Sequence, residues 1–331
     1  MTPDSKIYIA GHRGLAGSAL VRRLRATGYR NLVLRTHAEL DLTDAPAVER
    51  FFAQEKPEIV FLAAAKVGGI LANSTYPADF IRDNLAIQTN VIDIAYRSRV
   101  RSLLFLGSSC IYPRDCPQPI QEEYLLTGPL EPNNRAYAIA KIAGIEMCWS
   151  YNRQHGTRYL CAMPTNLYGP GDSYDLQTSH VLPALIRKFH ESKVRGESET
   201  VVWGSGTPRR EFLHCDDMAD ACLHLMQSSE RDIDGVLGGG PPLVNVGCGE
   251  DLTVRELAEL VRDAVGAQTE IVYHRTKPDG TPRKLLAIGK LRSLGWQAAI
   301  PLKEGVALAY ASFLEEETDG RLGRPEARAR Q

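Results

Sequence analysis

An α/β fold is what this sequence predicts: a doubly wound parallel sheet of the Rossmann kind, carrying a smaller α+β substrate-binding domain. Three observations lead there. Short, continuously apolar runs alternate with longer amphipathic stretches through the first half. A glycine-rich turn joins the first apolar run to the first amphipathic stretch. Beyond residue 164 the alternation loosens and Pro, Gly and Ser become frequent at 164–179, 196–208 and 235–242. Continuously apolar strands are those buried on both faces, as in a parallel sheet covered by helices. Crossovers of one hand then make the sheet doubly wound.

Taken in order, Ile7-Tyr8-Ile9-Ala10 is the first strand and 15–26 the first helix. Leu32-Val33-Leu34 is the second strand, 45–52 a helix, and Ile59-Val60-Phe61-Leu62 the third strand. A long helix follows at 77–97, a strand at 103–106, and a helix at 137–153. The expected partition is a dinucleotide-binding domain over 1–170 with a returning segment at 212–246, a substrate domain over 171–211 and 247–320, and a disordered tail at 321–331.

Hydrophobic residues make up 44% of the 331 positions, enough for a sizeable core. Charged residues make up 24% and the net charge is −1. That balance supplies no field to gather nucleic acid or an anionic membrane surface. No apolar run reaches the roughly 18 residues of a membrane span. The first residues lack the basic-then-apolar pattern of a signal peptide. The seven cysteines form no CxxC pair and no zinc-type spacing with histidine. Reduced thiols, a cytoplasmic location and no metal are therefore expected.

After the first strand comes Gly11-His12-Arg13-Gly14-Leu15-Ala16-Gly17. Glycines at i, i+3 and i+6 allow a tight turn, close backbone approach to a pyrophosphate and close helix packing. The helix N-terminus behind them offers free N–H groups to phosphate. An NAD site carries a carboxylate about 20 positions on for the ribose 2′-hydroxyl. Here that place reads Leu34-Arg35-Thr36-His37, with no carboxylate until Glu39. Arg13 and Arg35 suit a 2′-phosphate instead, so the expected cofactor is NADP.

Tyr137-Ala138-Ile139-Ala140-Lys141 places a phenol and an ammonium one helical turn apart. A phenol is a poor acid–base group at neutral pH. A nearby cation is expected to lower its pKa and make it useful for proton transfer. Ser108-Ser109 lies about 30 residues upstream at a strand end, where such folds place ligands.

The glycine loop, Ser108, the Tyr137–Lys141 spacing, and Arg210-Glu211-Phe212-Leu213-His214 followed by Asp216-Asp217 together resemble the extended short-chain dehydrogenase/reductase family. The resemblance covers nearly the whole chain. It implies that Tyr137 exchanges a proton with a sugar C4 oxygen, that Lys141 holds the nicotinamide ribose, and that Ser108 bonds the same C4 oxygen. Longer runs narrow it: AAAKVGGI at 63–70, GSSCIYP at 107–113, PTNLYGP at 164–170, VWGSGT at 202–207 and KPDGTPRK at 277–284 are similar to the GDP-L-fucose synthase family. That family epimerises GDP-4-keto-6-deoxy-D-mannose at C3 and C5 and reduces C4 with NADPH. The similarity implies Cys110 and His180 as the proton-exchanging pair. It also implies Lys188, Trp203, Arg210 and Asp279 as GDP-sugar contacts, and a homodimer formed through the two long helices. Cofactor contacts implied are the Gly11–Gly17 loop, Arg35, His37, Asp41, Leu42, Leu106, Gly107, Ser108, Ser109, Tyr137, Lys141, Pro164, Thr165, Asn166, Leu167 and His180. Two positions depart from the family: Lys188 follows Arg187 where arginines are often paired, and His37 stands where an arginine is known beside the 2′-phosphate. The alternatives are a sibling epimerase–reductase on a colitose- or heptose-type GDP-sugar, and a cofactor-binding scaffold without catalysis.

Overall fold

The computed structural model describes residues 1–176, 178–276 and 279–320. The expectations for 277–278 and for the 321–331 tail fall outside those residues. In chain order, β1 (Ile7–Ala10) leads into α1 (Leu15–Ala26), and β2 (Leu32–Val33) into α2 (Ala45–Glu55). β3 (Ile59–Leu62) is followed by α3 (Ile70–Thr75) and α4 (Pro77–Arg97), then β4 (Ser102–Leu106), α5 (Arg135–His155) and β5 (Tyr159–Pro164). The second half runs β6 (Asn166–Tyr168), α6 (Val181–Arg195), β7 (Glu199–Trp203), β8 (Arg209–Arg210), β9 (Phe212–His214), α7 (Cys215–Gln227) and α8 (Glu230–Leu237). It ends with β10 (Leu243–Val246), β11 (Leu252–Thr253), α9 (Val254–Val265), β12 (Glu270–His274), β13 (Arg283–Lys284), α10 (Gly289–Ser293) and α11 (Leu302–Thr318).

Six parallel strands form the central sheet in the order β10-β5-β4-β3-β1-β2. Side chains alternate across a strand, and both sides are covered here. Tyr8, Val60, Leu103 and Phe105 pack with Val48, Phe52, Val91, Ile92 and Ile145 of α2, α4 and α5. Ile7, Ile9, Phe61 and Leu104 pack with Leu20 and Leu24 of α1 and with Met218 and Cys222 of α7. That double burial is why these strands read as unbroken apolar runs. A third cluster joins α6, α9 and α11 through Leu185, Phe189, Leu257, Val261, Val306 and Phe313.

Some boundaries differ from the sequence expectation. The second strand stops at Val33, not Leu34, whose carbonyl accepts from Arg35 Nη1 (2.8 Å). The helix expected over 45–52 continues to Glu55, and Lys56 ends it in the left-handed region (φ 49°). The region beyond residue 164 holds more regular helix than its Pro, Gly and Ser content suggested. There α9 starts with a reciprocal Thr253–Glu256 capping box, which satisfies two otherwise orphaned N–H groups.

The winding direction reverses between β1 and β3, so a crevice opens where both strands end. One buried carboxyl ties the second half to that edge. Glu211, fully buried, accepts from the N–H of Gly249 (2.7 Å) and of Leu286 (3.0 Å). Its own carbonyl accepts from Asn166 Nδ2 (2.8 Å) and Thr165 Oγ1 (3.2 Å). Burial raises its pKa, and the backbone bonds oppose that. Among the described residues, no helix is long and apolar enough to cross a membrane.

Glu211→Ala strands two buried N–H groups, each costing about 1–3 kcal/mol. Urea denaturation is expected to show a loss of about 3 kcal/mol, whereas an unchanged midpoint would contradict the bracing role.

Candidate active site

The crevice begins at the glycine loop. Gly11 has φ +83°, and a β-carbon there would lie 2.8 Å from the backbone of Ala64. A β-carbon on Gly17 would lie 2.0 Å from the Gly11 carbonyl. Only glycine fits either place. Gly14 precedes α1 in extended conformation and has no side chain to cap it. The first N–H groups of α1 (Leu15, Ala16, Gly17) therefore have no partner inside the helix, and its positive dipole end is bare. His12 adds a buried Nδ1 with no partner. This cradle fits a dinucleotide pyrophosphate.

Around the expected 2′-phosphate place, the structure is more engaged than the sequence suggested. Arg35 is not free: its Nη2 pairs with Glu55 Oε1 (2.5 Å), and Glu55 Oε2 also holds Lys6 (2.8 Å). Arg13 is exposed. Glu39 accepts from Thr36 N (2.8 Å) and Oγ1 (2.9 Å). Those bonds, with Arg35 and Arg13 beyond them, hold its carboxyl below the usual range. His37 is exposed, 3.9 Å from Asp41. Asp41 accepts from Thr43, and Leu42 is buried.

The end of β4 carries Leu106, Gly107 and Ser108 into the crevice. A β-carbon on Gly107 would collide with the Met163 side chain. Ser108 Oγ accepts from the Cys110 N–H (3.4 Å) and caps the single turn Ser109–Ile111. That turn tucks Cys110 inward to 8% exposure. Tyr137 and Lys141 lie on the first turns of α5. Lys141 Nζ is 5.8 Å from the Tyr137 ring centre, 4.6 Å from that of Phe105, and donates to the Leu106 carbonyl (2.8 Å).

Burial controls these groups. It pushes the Tyr137 phenol well up, with Cys110 adding to the rise. The expectation that Lys141 lowers this phenol is therefore corrected: the ammonium is turned to a carbonyl and a ring face, and desolvation wins. Lys141 itself falls from 10.5 to about 8 by burial, against an upward pull from Cys110 and Cys161. The Cys110 thiol is raised by burial, opposed by Lys284, Ser108 and Lys141. His180 stands just before α6 and still meets solvent. Its imidazole is lowered by burial among protein atoms and then by Lys284. The Gly69 N–H donates to the Thr178 carbonyl (3.0 Å), tying the loop after β3 to the segment that bears His180.

On the far wall, Pro164, Thr165, Asn166 and Leu167 span β5 and β6, with Thr165 and Asn166 anchored on Glu211. Lys188 Nζ stands 4.7 Å from the Trp203 ring centre and donates to the Val201 carbonyl (3.0 Å). Trp203 is exposed. Both Asp279 oxygens bond Ser205, at 2.6 Å to its N and 2.8 Å to its Oγ, bracing the turn that displays Trp203. Arg210 pairs in register with Lys284 across β8 and β13. Sequence reasoning missed Lys284, although it ends a quoted motif, and it missed the Glu55 pairing. One His/Cys/Asp group is found among the described residues, at His214, Cys215 and Asp216. Arg22 already bonds it, at 2.6 Å to Asp216 Oδ1 and 3.4 Å to Cys215 Sγ.

A glycine cradle at a parallel-sheet crevice, with a phenol–ammonium turn beside it, marks a nicotinamide-dependent enzyme that acts on an alcohol or ketone. The family described as NAD dependent epimerase/dehydratase matches residues 7–247, and the chain belongs to it. Within that class the chain is 58% identical to GDP-L-fucose synthase 1 of Arabidopsis thaliana, over 94% of each chain. It is 53% identical to GDP-L-fucose synthase of Escherichia coli (strain K12), over 94% of this chain and 97% of the relative. Among solved structures it superposes on MlghC, a GDP-mannoheptose C4 reductase from Campylobacter jejuni with NADP bound, with a TM-score of 0.86 and 41% identity over 95% of this chain and 99% of that one.

Depression of Lys141 to about 8 makes the unfolded chain the better proton binder from about pH 8 to 10.5. Stability therefore rises with pH across that window, and the penalty is complete below it. Urea titration of Lys141→Met at pH 7 is expected to show a gain of about 1–2 kcal/mol over the native protein. The gain should close by pH 10.5; a gap that widens with pH would contradict the burial account.

Proposed function

We propose that the chain converts GDP-4-keto-6-deoxy-D-mannose to GDP-L-fucose, by epimerisation at C3 and C5 followed by NADPH-dependent reduction at C4. The observation that carries this reading is the buried Cys110 on the turn that packs against α5, beside Tyr137 and Lys141. Reduction alone needs no second acid–base pair, whereas epimerisation needs a base and an acid. The identities to named GDP-L-fucose synthases, above that to the heptose reductase, support this sugar over its siblings.

Hydrogens on C3 and C5 are acidic because each flanks the C4 ketone, so removal of either gives an enolate. Cys110 and His180 come from two separate elements, the end of β4 and the start of α6. Cys110 takes the proton and His180 returns one to the opposite face. Ser108 and Tyr137 hold the C4 oxygen. Burial holds the Tyr137 phenol protonated, so a proton is in place for the more basic alkoxide that forms at C4. NADPH, when bound, supplies the hydride for C4. The Gly11–Gly17 loop and the α1 N-terminus hold its pyrophosphate, with Arg13 and Arg35 toward the 2′-phosphate. Lys188 and Arg210 offset the GDP diphosphate charge, and exposed Trp203 offers an apolar plane. The dinucleotide is assigned to residues 1–170 and 212–246, and the GDP-sugar to 171–211 and 247–320. A cytoplasmic homodimer through α4 and α5 completes the reading.

Incubation with GDP-4-keto-6-deoxy-D-mannose and NADPH is expected to consume reduced cofactor and yield GDP-L-fucose. No loss of NADPH absorbance would sink the proposal. Tyr137→Phe is expected to lose reduction by at least about 100-fold while keeping hydrogen exchange at C3 and C5. Cys110→Ser is expected to lose the exchange, and normal exchange in that variant would remove the thiol from the mechanism.

A further inference from the structure

Cys110 poses a chemical difficulty. Only a thiolate acts as a base, and burial opposes the thiolate. Its surroundings are Ser108 from the end of β4, Tyr137 and Lys141 from α5, and Lys284 from β13. Lys141 is already committed to the Leu106 carbonyl and the Phe105 face. Lys284 is differently placed. A small cavity is lined by Cys110, Asn134, Glu131 and Lys284 together. The lysine is fixed there by the register of β13 on β8, and its carbonyl accepts from the Glu211 N–H (3.3 Å). Burial lowers the Lys284 ammonium and Cys110 pulls it back up, with Arg210, Cys116, Glu131 and His180 within its electrostatic reach. Arg114 holds Glu131 (3.5 Å), and Arg283 holds Asp251 (2.5 Å). These pairings occupy nearby carboxylates with other cations.

We propose that Lys284 is the counter-cation of the Cys110 thiolate. It is a positioning residue that favours the ionised thiol, so that Cys110 is ready to take the proton. The ammonium lowers the proton affinity of the sulfur, so more of the thiol is thiolate at neutral pH although each thiolate is a weaker base. A C–H bond of the sugar breaks to the Cys110 sulfur, forming S–H and the enolate. The enolate carbon takes a proton from the His180 imidazolium on the other face. The thiol and imidazole then return to their starting protonation by exchange with water, so no oxidant or reductant is consumed. The inference rests on the proposed use of Cys110 as base, and its test reads the thiol directly, apart from turnover.

The experiment is iodoacetamide alkylation of the whole protein across pH 5–10, with peptide mass spectrometry to follow Cys110 separately from the other thiols. Lys284→Met is expected to slow Cys110 alkylation more than tenfold at pH 7 and move its midpoint up by at least one pH unit. Lys284→Arg should restore the native profile. Cys148 and Cys161, buried away from Lys284, are internal controls and should not change. If Lys284→Met loses its native thermal transition, Lys284→Gln removes the charge while keeping a polar side chain. A Cys110 profile that is the same in a folded uncharged variant as in the native protein would overturn the proposal. An altered Cys110 profile in a protein that never consumes the GDP-keto-sugar would instead leave the electrostatic pairing standing and sink the proposed reaction.

Discussion

The buried carboxyl of Glu211 is the constraint on which the cleft depends. A carboxyl removed from water is costly unless its oxygens are bonded, and here each oxygen meets a backbone N–H from a different loop. Gly247 leaves room for it, since a β-carbon there would approach Glu211 Oε1 to 2.3 Å. Its neighbour Arg210 and its strand partner Lys284 thereby acquire fixed positions at the mouth of the sheet. Thr165 and Asn166 are pulled to the same residue by its carbonyl. The walls of the cleft are thus cross-braced at one buried point, not held by the small strands alone.

Within that frame the electrostatics follow one rule. Burial disfavours charge, so Tyr137 and Cys110 hold their protons more firmly while Lys141 and His180 hold theirs less firmly. A site of neutral groups suits an incoming anionic nucleotide only if cations remain at its rim. Arg13, Lys188 and Arg210 provide them. Lys141 and Lys284 lie further in; burial lowers both, and Cys110 pulls both back up.

Much of the first half was legible because its signals are local. Unbroken apolar runs of four or five residues could only be doubly covered strands, and the glycine spacing fixed the turn between β1 and α1. The second half was less legible. Its helices α6, α7, α9 and α11 interleave with strands of which β6, β8, β9, β11 and β13 have only two or three residues, too short for a periodic signal, and Pro and Gly between them read as loop. Capping signals such as Thr253-x-x-Glu256 and the left-handed Gly196 after α6 were present, and a closer reading of them would have found α6 and α9. The missed site features are all long-range. Arg35 meets Glu55, Asp279 meets Ser205, and Lys284 meets Cys110 across many residues of intervening chain. Nothing in local sequence pairs them. The pKa of Tyr137 was misjudged for a related reason: the i, i+4 spacing gives proximity to Lys141, but not the direction of its ammonium.

The central claim is that one cleft exchanges protons on the sugar before it reduces it. The most direct measurement is proton NMR of GDP-4-keto-6-deoxy-D-mannose in D2O with the native protein and NADP in its oxidised form, so that the cofactor place is filled but no hydride is available. The account predicts that the C3 and C5 hydrogen signals both disappear while the C4 ketone persists. Signals that remain unchanged would contradict it.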